Sequence, residues 1–216
     1  MSESLLAFAV FAAVLTVTPG LDTLLVLRTA AVAGRRPALA AGLGIGLGCV
    51  CWAVASALGI TAVLGASRVA FDVLRLAGAA YLCWLGVRLL WRRRGLDASE
   101  ASEASTVDIA PAAATPGAAF RTGLTTNLLN PKVGVFYLSV LPQFLPDGVA
   151  PLIASTALAA VHVVEGLLWF TVIVLAVHRA AHVLARPAVK RWLDRLTGLV
   201  FVALGARLAG ESFRRA

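Results

Sequence analysis

The stretch "LTVTPGLDTLL", residues 15–25, decides how the chain is read. It lies inside a run that is otherwise apolar from Leu5 to Leu27. Proline removes a backbone hydrogen bond and clashes with the preceding turn. A carboxylate is costly in apolar surroundings. An apolar helix carrying Pro19, Gly20 and Asp22 at its middle is therefore predicted to be broken there. In lipid, freed backbone groups cost several kcal/mol unless protein or trapped water satisfies them, so the break should face other helices.

The composition sets this run in a membrane. The chain has 216 residues, 60% hydrophobic and only 14% charged. Its mean hydropathy is +0.88. A soluble domain of this size could not cover so much apolar side chain. The apolar–polar alternation of a membrane β-barrel is absent, which leaves an all-α membrane protein. The net charge of +8 sits mostly in arginines at the ends of apolar runs, a topology signal rather than a nucleic-acid groove. The first run is preceded by Glu3 rather than a basic region, so it reads as a retained helix.

Six spans are expected, at about 5–31, 38–64, 69–91, 120–145, 151–177 and 193–210. Between the third and fourth lies "RRRGLDASEASEASTVDIAPAAATPG", too polar and small to bury itself, which reads as a linker. The expected organisation is a three-helix unit at 1–91, a flexible cytoplasmic linker at 92–117 and a second three-helix unit at 118–216. The two units resemble each other. "RLAGAAYLCWLGVRLL" from Arg75 matches "RLTGLVFVALGARLA" from Arg195, and "TPG" at Thr18 has a counterpart in "NPK" at Asn130. Three helices per repeat force the repeats into opposite orientations, the inverted plan of many secondary transporters. Arginines 28, 35, 36, 92–94, 179, 186 and 191, with Lys190, fall on one side, which is then the cytoplasm, and both termini face outward.

Thr18–Pro19 and Asn130–Pro131 each read as an N-cap followed by proline at the first helical position. Each would start a half-helix at mid-membrane, with free N–H groups and a positive dipole end. Asp22, Lys132 and Glu165 are the ionisable groups farthest from any helix end, and such groups mark a site or a proton path. Carboxylates for an ammonium, and half-helix ends with a lysine for a carboxylate, suit an amino-acid zwitterion. Opposed influences on Asp22 would let it change protonation during a transport cycle. The plain alternatives are an Asp22–Lys132 structural lock and a Glu165 paired with His162 or an arginine. His162 reads as a packed polar residue rather than a metal ligand. "GLGIGLG", Gly42–Gly48, lacks the context of a phosphate loop and reads as small residues for close helix packing.

The stretches "TPGLDTLLVLRTAAVAGRRPALAAGLGIGLG" from Thr18, "LRLAGAAYLCWLGVRLL" from Leu74 and "FRTGLTTNLLNPKVGVFYLSVLPQF" from Phe120 carry a resemblance to the LysE/RhtB family of amino-acid exporters. It covers nearly the whole chain. It implies a six-helix inner-membrane carrier that exports a small amino acid or related metabolite at the expense of the proton gradient. By motif it carries over Pro19, Gly20 and Asp22 in the first half and Asn127, Asn130, Pro131 and Lys132 in the second. Many relatives have a second proline where this chain has Leu21. Glu165 rests on the physical argument alone.

The chain thus reads as a carrier, not an enzyme, with no cofactor and no metal. Its partners are a small amino-acid substrate and the bilayer, not nucleic acid, and monomer and homodimer both stay open. A metal-ion exporter would need a ligand-spaced cluster, which Cys49, Cys51, His162 and Asp22 do not form. A thiol-redox conduit would need facing cysteines, but Cys49 and Cys51 point to different faces of a helix and Cys83 has no counterpart in the sixth span.

Overall fold

The computed structural model describes residues 2–66, 115–146, 148–177 and 186–213, with scattered positions between 76 and 91 and at 183. Every regular element among the described residues is helical. The expected third span and the linker as far as residue 114 lie outside the described residues, apart from those scattered positions.

The first apolar run forms two helices, α1 (Ser2–Val17) and α2 (Leu21–Ala33), bent by 53° at the break. Gly34 ends α2 with φ of 87°, a left-handed conformation that costs glycine nothing. The turn leads directly into α3 (Arg35–Ala66). The next stretch starts as α4 (Pro116–Leu128), where the Thr115 side chain accepts from the Ala118 N–H at 3.3 Å and proline takes the first turn. Residues 116 and 117, expected in the linker, are the first two residues of this helix. After Asn130 come α5 (Pro131–Val135), a π-helical turn (Phe136–Val140) and a 3-10 turn (Leu141–Phe144). The chain then forms α6 (Pro151–Leu175) and α7 (Pro187–Phe213), the latter starting six residues before the expected Leu193.

Residues Arg35–Gly59 and Pro151–Leu175 are each long and apolar enough to cross a membrane, and the bent α1–α2 pair adds a third crossing if it is one span. Their outward faces are hydrocarbon. Leu39, Leu43 and Leu47 recur one turn apart on α3, as do Val164, Leu168 and Val172 on α6, all exposed. Large apolar side chains turned outward in such rows suit lipid, not water.

Inside, α7 lies against α1, while α3 and α6 are the uprights against which α1, α2 and α4 pack. Two glycine pairs explain how closely they do so. A Cβ on Gly44 would collide with the Phe120 carbonyl of α4, and one on Gly48 with the side chain of Asn127. A Cβ on Gly42 or Gly46 would press on Phe170 or Val163 of α6, at 3.2 and 3.1 Å. The "GLGIGLG" run thus offers two small-xxx-small faces, one to each neighbour, as its composition suggested.

Two apolar clusters result. One joins Phe8, Phe11 and Leu15 of α1 to Phe136, Tyr137 and Phe144, with Cys49 and Ala53 of α3 and Leu158 and Ala159 of α6. Phe11 and Phe136 stack in it at 5.7 Å between ring centroids. The other joins Val26 and Ala30 of α2 to Ala38, Ala41 and Ile45 of α3 and Phe170, Ile173 and Val174 of α6. Along α6 the two clusters leave residues 160–169 between them. That gap holds the candidate site.

Candidate functional site

Each proline in the broken segments orphans one carbonyl, and each orphan finds a side chain on another element. Pro19 cannot donate to Leu15 O four residues back. The Lys132 ammonium donates to Leu15 O at 3.1 Å and to Thr18 O at 3.0 Å. Pro131 cannot donate to Asn127 O, and the Trp52 indole N–H takes that carbonyl at 3.3 Å, shared with the Asn130 N–H at 3.1 Å. In the π turn the Leu141 N–H reaches back to Phe136 O. In that register Tyr137 O would need an N–H from Pro142, which has none, and the Ser56 hydroxyl donates to it at 2.8 Å. Proline is tolerated here because neighbouring helices re-satisfy the backbone.

The two helix restarts differ. Asn130 is an N-cap, its Oδ1 accepting the Lys132 N–H at 3.1 Å, with Pro131 in the first turn. Thr18 is not a cap. The chain runs on through Pro19, and Gly20 occupies the N-cap of α2 with no side-chain bond. The Thr18 hydroxyl instead donates back to Val14 O at 2.7 Å and pairs with the Thr197 hydroxyl on α7. A threonine whose hydroxyl satisfies the turn behind it cannot cap the turn ahead.

Both breaks open onto one cavity of about 50 Å³ between α3 and α6. One water needs roughly 10–15 Å³. Asp22, Lys132 and Asn130 line it, as do Thr16 and Thr18. Asn127 stands behind Asp22 rather than on the wall. Its Nδ2 donates to Asp22 Oδ2 at 2.8 Å and lies 3.6 Å from the Cys49 sulfur. Asp22 Oδ1 and Thr16 Oγ1 are buried without a hydrogen-bond partner. Four of the five predicted site residues therefore meet here.

Glu165 does not. It is absent from the cavity lining, which on α6 is formed by His162, Val163, Gly166, Leu167 and Phe170. Its neighbour Gly166 and the turn-related His162 take the inward direction, so Glu165 points to the side.

His162 was expected to be packed, and its Nδ1 bonds the Tyr137 hydroxyl at 2.9 Å while its ring lies 5.3 Å from that of Phe136. It also forms part of the cavity wall, as does Cys49. Tyr137 and Cys49 carried no signal as site residues. Only the place of Tyr137 three residues after Gly134, and of Cys49 next to Gly48, could have suggested them. Cys49 is buried and Cys51 exposed, so the two do turn to opposite sides of α3.

The family model described as "LysE type translocator" matches residues 13–212. The chain belongs to this family. It is 32% identical over 198 residues to the threonine efflux protein of Escherichia coli K12, spanning 88% of this chain and 90% of that one. It is 28% identical over 205 residues to a homoserine/homoserine lactone efflux protein of Salmonella typhi, spanning 94% of each. It is likewise 28% identical over 207 residues to the membrane protein YrhP of Bacillus subtilis, spanning 95% and 98%. No solved structure matches. A LysE type translocator is a multi-pass membrane transporter, not an enzyme.

Proposed function

We propose that this translocator is a secondary transporter that exports a small amino acid or closely related metabolite across the inner membrane, coupled to protons. In this reading it has six spans in two inverted three-helix repeats, with the arginine-rich loops in the cytoplasm. The relatives named for threonine and homoserine efflux supply the substrate class.

One observation carries the reading. Asp22 is half fixed, with Oδ2 held by Asn127 and Oδ1 buried at the cavity without a donor. A buried carboxylate oxygen left without a partner is expensive. A substrate ammonium would complete it, and so would a proton. The Lys132 ammonium and the first-turn N–H groups of α2, which no side chain caps, offer positive potential to the substrate carboxylate across the same cavity. Alternation of ammonium and proton on one carboxylate is the simplest way to couple their opposed movement.

Asp22→Asn keeps the shape and the capacity to bond Asn127 but removes charge and titration. In proteoliposomes loaded with labelled threonine or homoserine, net efflux driven by a pH gradient should fall about hundredfold, roughly 2.7 kcal/mol of barrier. Membrane insertion should be unchanged. Wild-type efflux rates in this variant would sink the proposal.

A further inference from the structure

The cavity has two chemically different ends. Thr16, Thr18, Asp22, Asn130, Lys132 and His162 make one end polar. Toward the α2 cluster the wall is Gly42, Ile45, Gly166, Leu167 and Phe170, with no charge, and Thr23 of α2 adds a hydroxyl to the lining. The glycines of this apolar end are not equivalent. Gly42 is explained by packing, since a Cβ there would press on Phe170 at 3.2 Å. Gly166 is not. A Cβ on it would meet only Phe170 Cε2, at 4.0 Å, so open space lies before it. Its φ is not positive either. Glycine inside a helix is less favourable than alanine, and here neither packing nor backbone shape accounts for it.

We infer that the space before Gly166, closed by Phe170 one turn on, receives the side chain of the exported amino acid and sets its largest size. This rests on the amino-acid reading above. With the zwitterionic head at Asp22 and Lys132, the side chain has only the apolar end to enter. That end offers shape and no charge, so it discriminates chiefly by volume. A hydrophobic pocket rejects what is too large by overlap, and discriminates against what lacks a methylene by only about 10–200-fold. The substrate class is then amino acids with short side chains, of about threonine or valine size.

The test uses the whole chain in proteoliposomes and a graded series: glycine, alanine, threonine, valine and leucine. Gly166→Ala and Gly166→Val project new atoms into the cavity without meeting backbone. Efflux of glycine and alanine should stay within about twofold of wild type, while threonine and valine fall tenfold or more in Gly166→Val and by less in Gly166→Ala. A uniform fall across the series would make Gly166 part of a common passage and overturn the inference. So would an unmoved size profile. If the wild-type chain exports none of the five, nor homoserine, while inserting normally, the amino-acid reading itself fails, and the inference with it.

Discussion

The two helix breaks solve one problem in unlike ways. Each proline leaves a carbonyl four residues back without a donor, and each carbonyl is taken from across the bundle. At the second break the donor is a neutral indole, Trp52, and the carbonyl is shared with a nearby backbone N–H. The restart there is capped by its own Asn130. At the first break the donor is a cation, Lys132, which holds two carbonyls at once. The restart has no side-chain cap, and Thr18 is tied to Thr197 instead. The second break is therefore capped locally and shares its carbonyl between Trp52 and a nearby N–H, whereas the first is held by residues from the other half of the chain alone. The more dependent break is also the one that presents Asp22. A break held from outside can change when its holder is drawn elsewhere, and Lys132 faces the cavity where a substrate carboxylate would sit.

The largest effect on this comparison should come from Lys132→Met. It keeps the stem but strips Leu15 O and Thr18 O of their charged donor. Bonds to charged groups are worth about 1.5–3 kcal/mol each, and buried orphaned carbonyls cost comparably. The expected loss is about 3 kcal/mol, read as a lower unfolding midpoint in detergent. The double change Asp22→Asn with Lys132→Met separates two roles. A pure Asp22–Lys132 lock predicts recovery when both charges are gone, because the cost lies in the orphaned charge. Bracing of α1 predicts none, since the carbonyls stay unpaired. Full recovery would break the comparison.

Asn130→Ala should matter less. The second break loses only a local cap, and caps of this type are worth about 1 kcal/mol. The expected result is a modest fall in the unfolding midpoint. A loss as large as that of Lys132→Met would mean that the second break is no more self-sufficient than the first.

These differences also mark how far the sequence could be read. The breaks themselves were legible because proline and glycine stand out in apolar runs, and Asn130–Pro131 follows ordinary capping chemistry. Thr18–Pro19 has the same letters but not the same role. The chain runs two residues further before it turns helical, and the threonine hydroxyl is used behind it. The donors to the orphaned carbonyls were not legible. Lys132, Trp52 and Ser56 lie 117, 75 and 81 residues from the positions they serve, and no local pattern encodes such pairings. That Glu165 lies off the cavity wall was illegible for a related reason. On α6 the polar residues Ser155, Thr156, His162, Glu165 and Thr171 do not fall on one face, so their presence alone does not tell the cavity face from its flank. The convergence of Asp22 with Asn127 was accessible only through the motifs, as a resemblance, and its physical cause is the close approach of α4 to the Gly44–Gly48 face of α3.

The smallest effect is expected for Trp52→Phe. The indole N–H to Asn127 O is long, at 3.3 Å, and that carbonyl keeps the Asn130 N–H as a second donor. Phenylalanine retains most of the ring, which packs on Gly134, where a Cβ would sit 3.0 Å from it. The carbonyl is then under-satisfied rather than orphaned, and the cost should be about 0.5–1 kcal/mol, the net value of one neutral hydrogen bond. Export should persist near the wild-type rate, because Asn127 remains anchored through its backbone and its side chain still reaches Asp22. Trp52→Ala controls for packing. It opens a hole beside Gly134 and, with Trp52 only partly buried, should destabilise by about 2 kcal/mol. If Trp52→Phe instead abolished efflux while Trp52→Ala lost no more than it did, the indole N–H would be as essential to the second break as Lys132 is to the first. The contrast between a braced break and a self-sufficient one would then have to be abandoned.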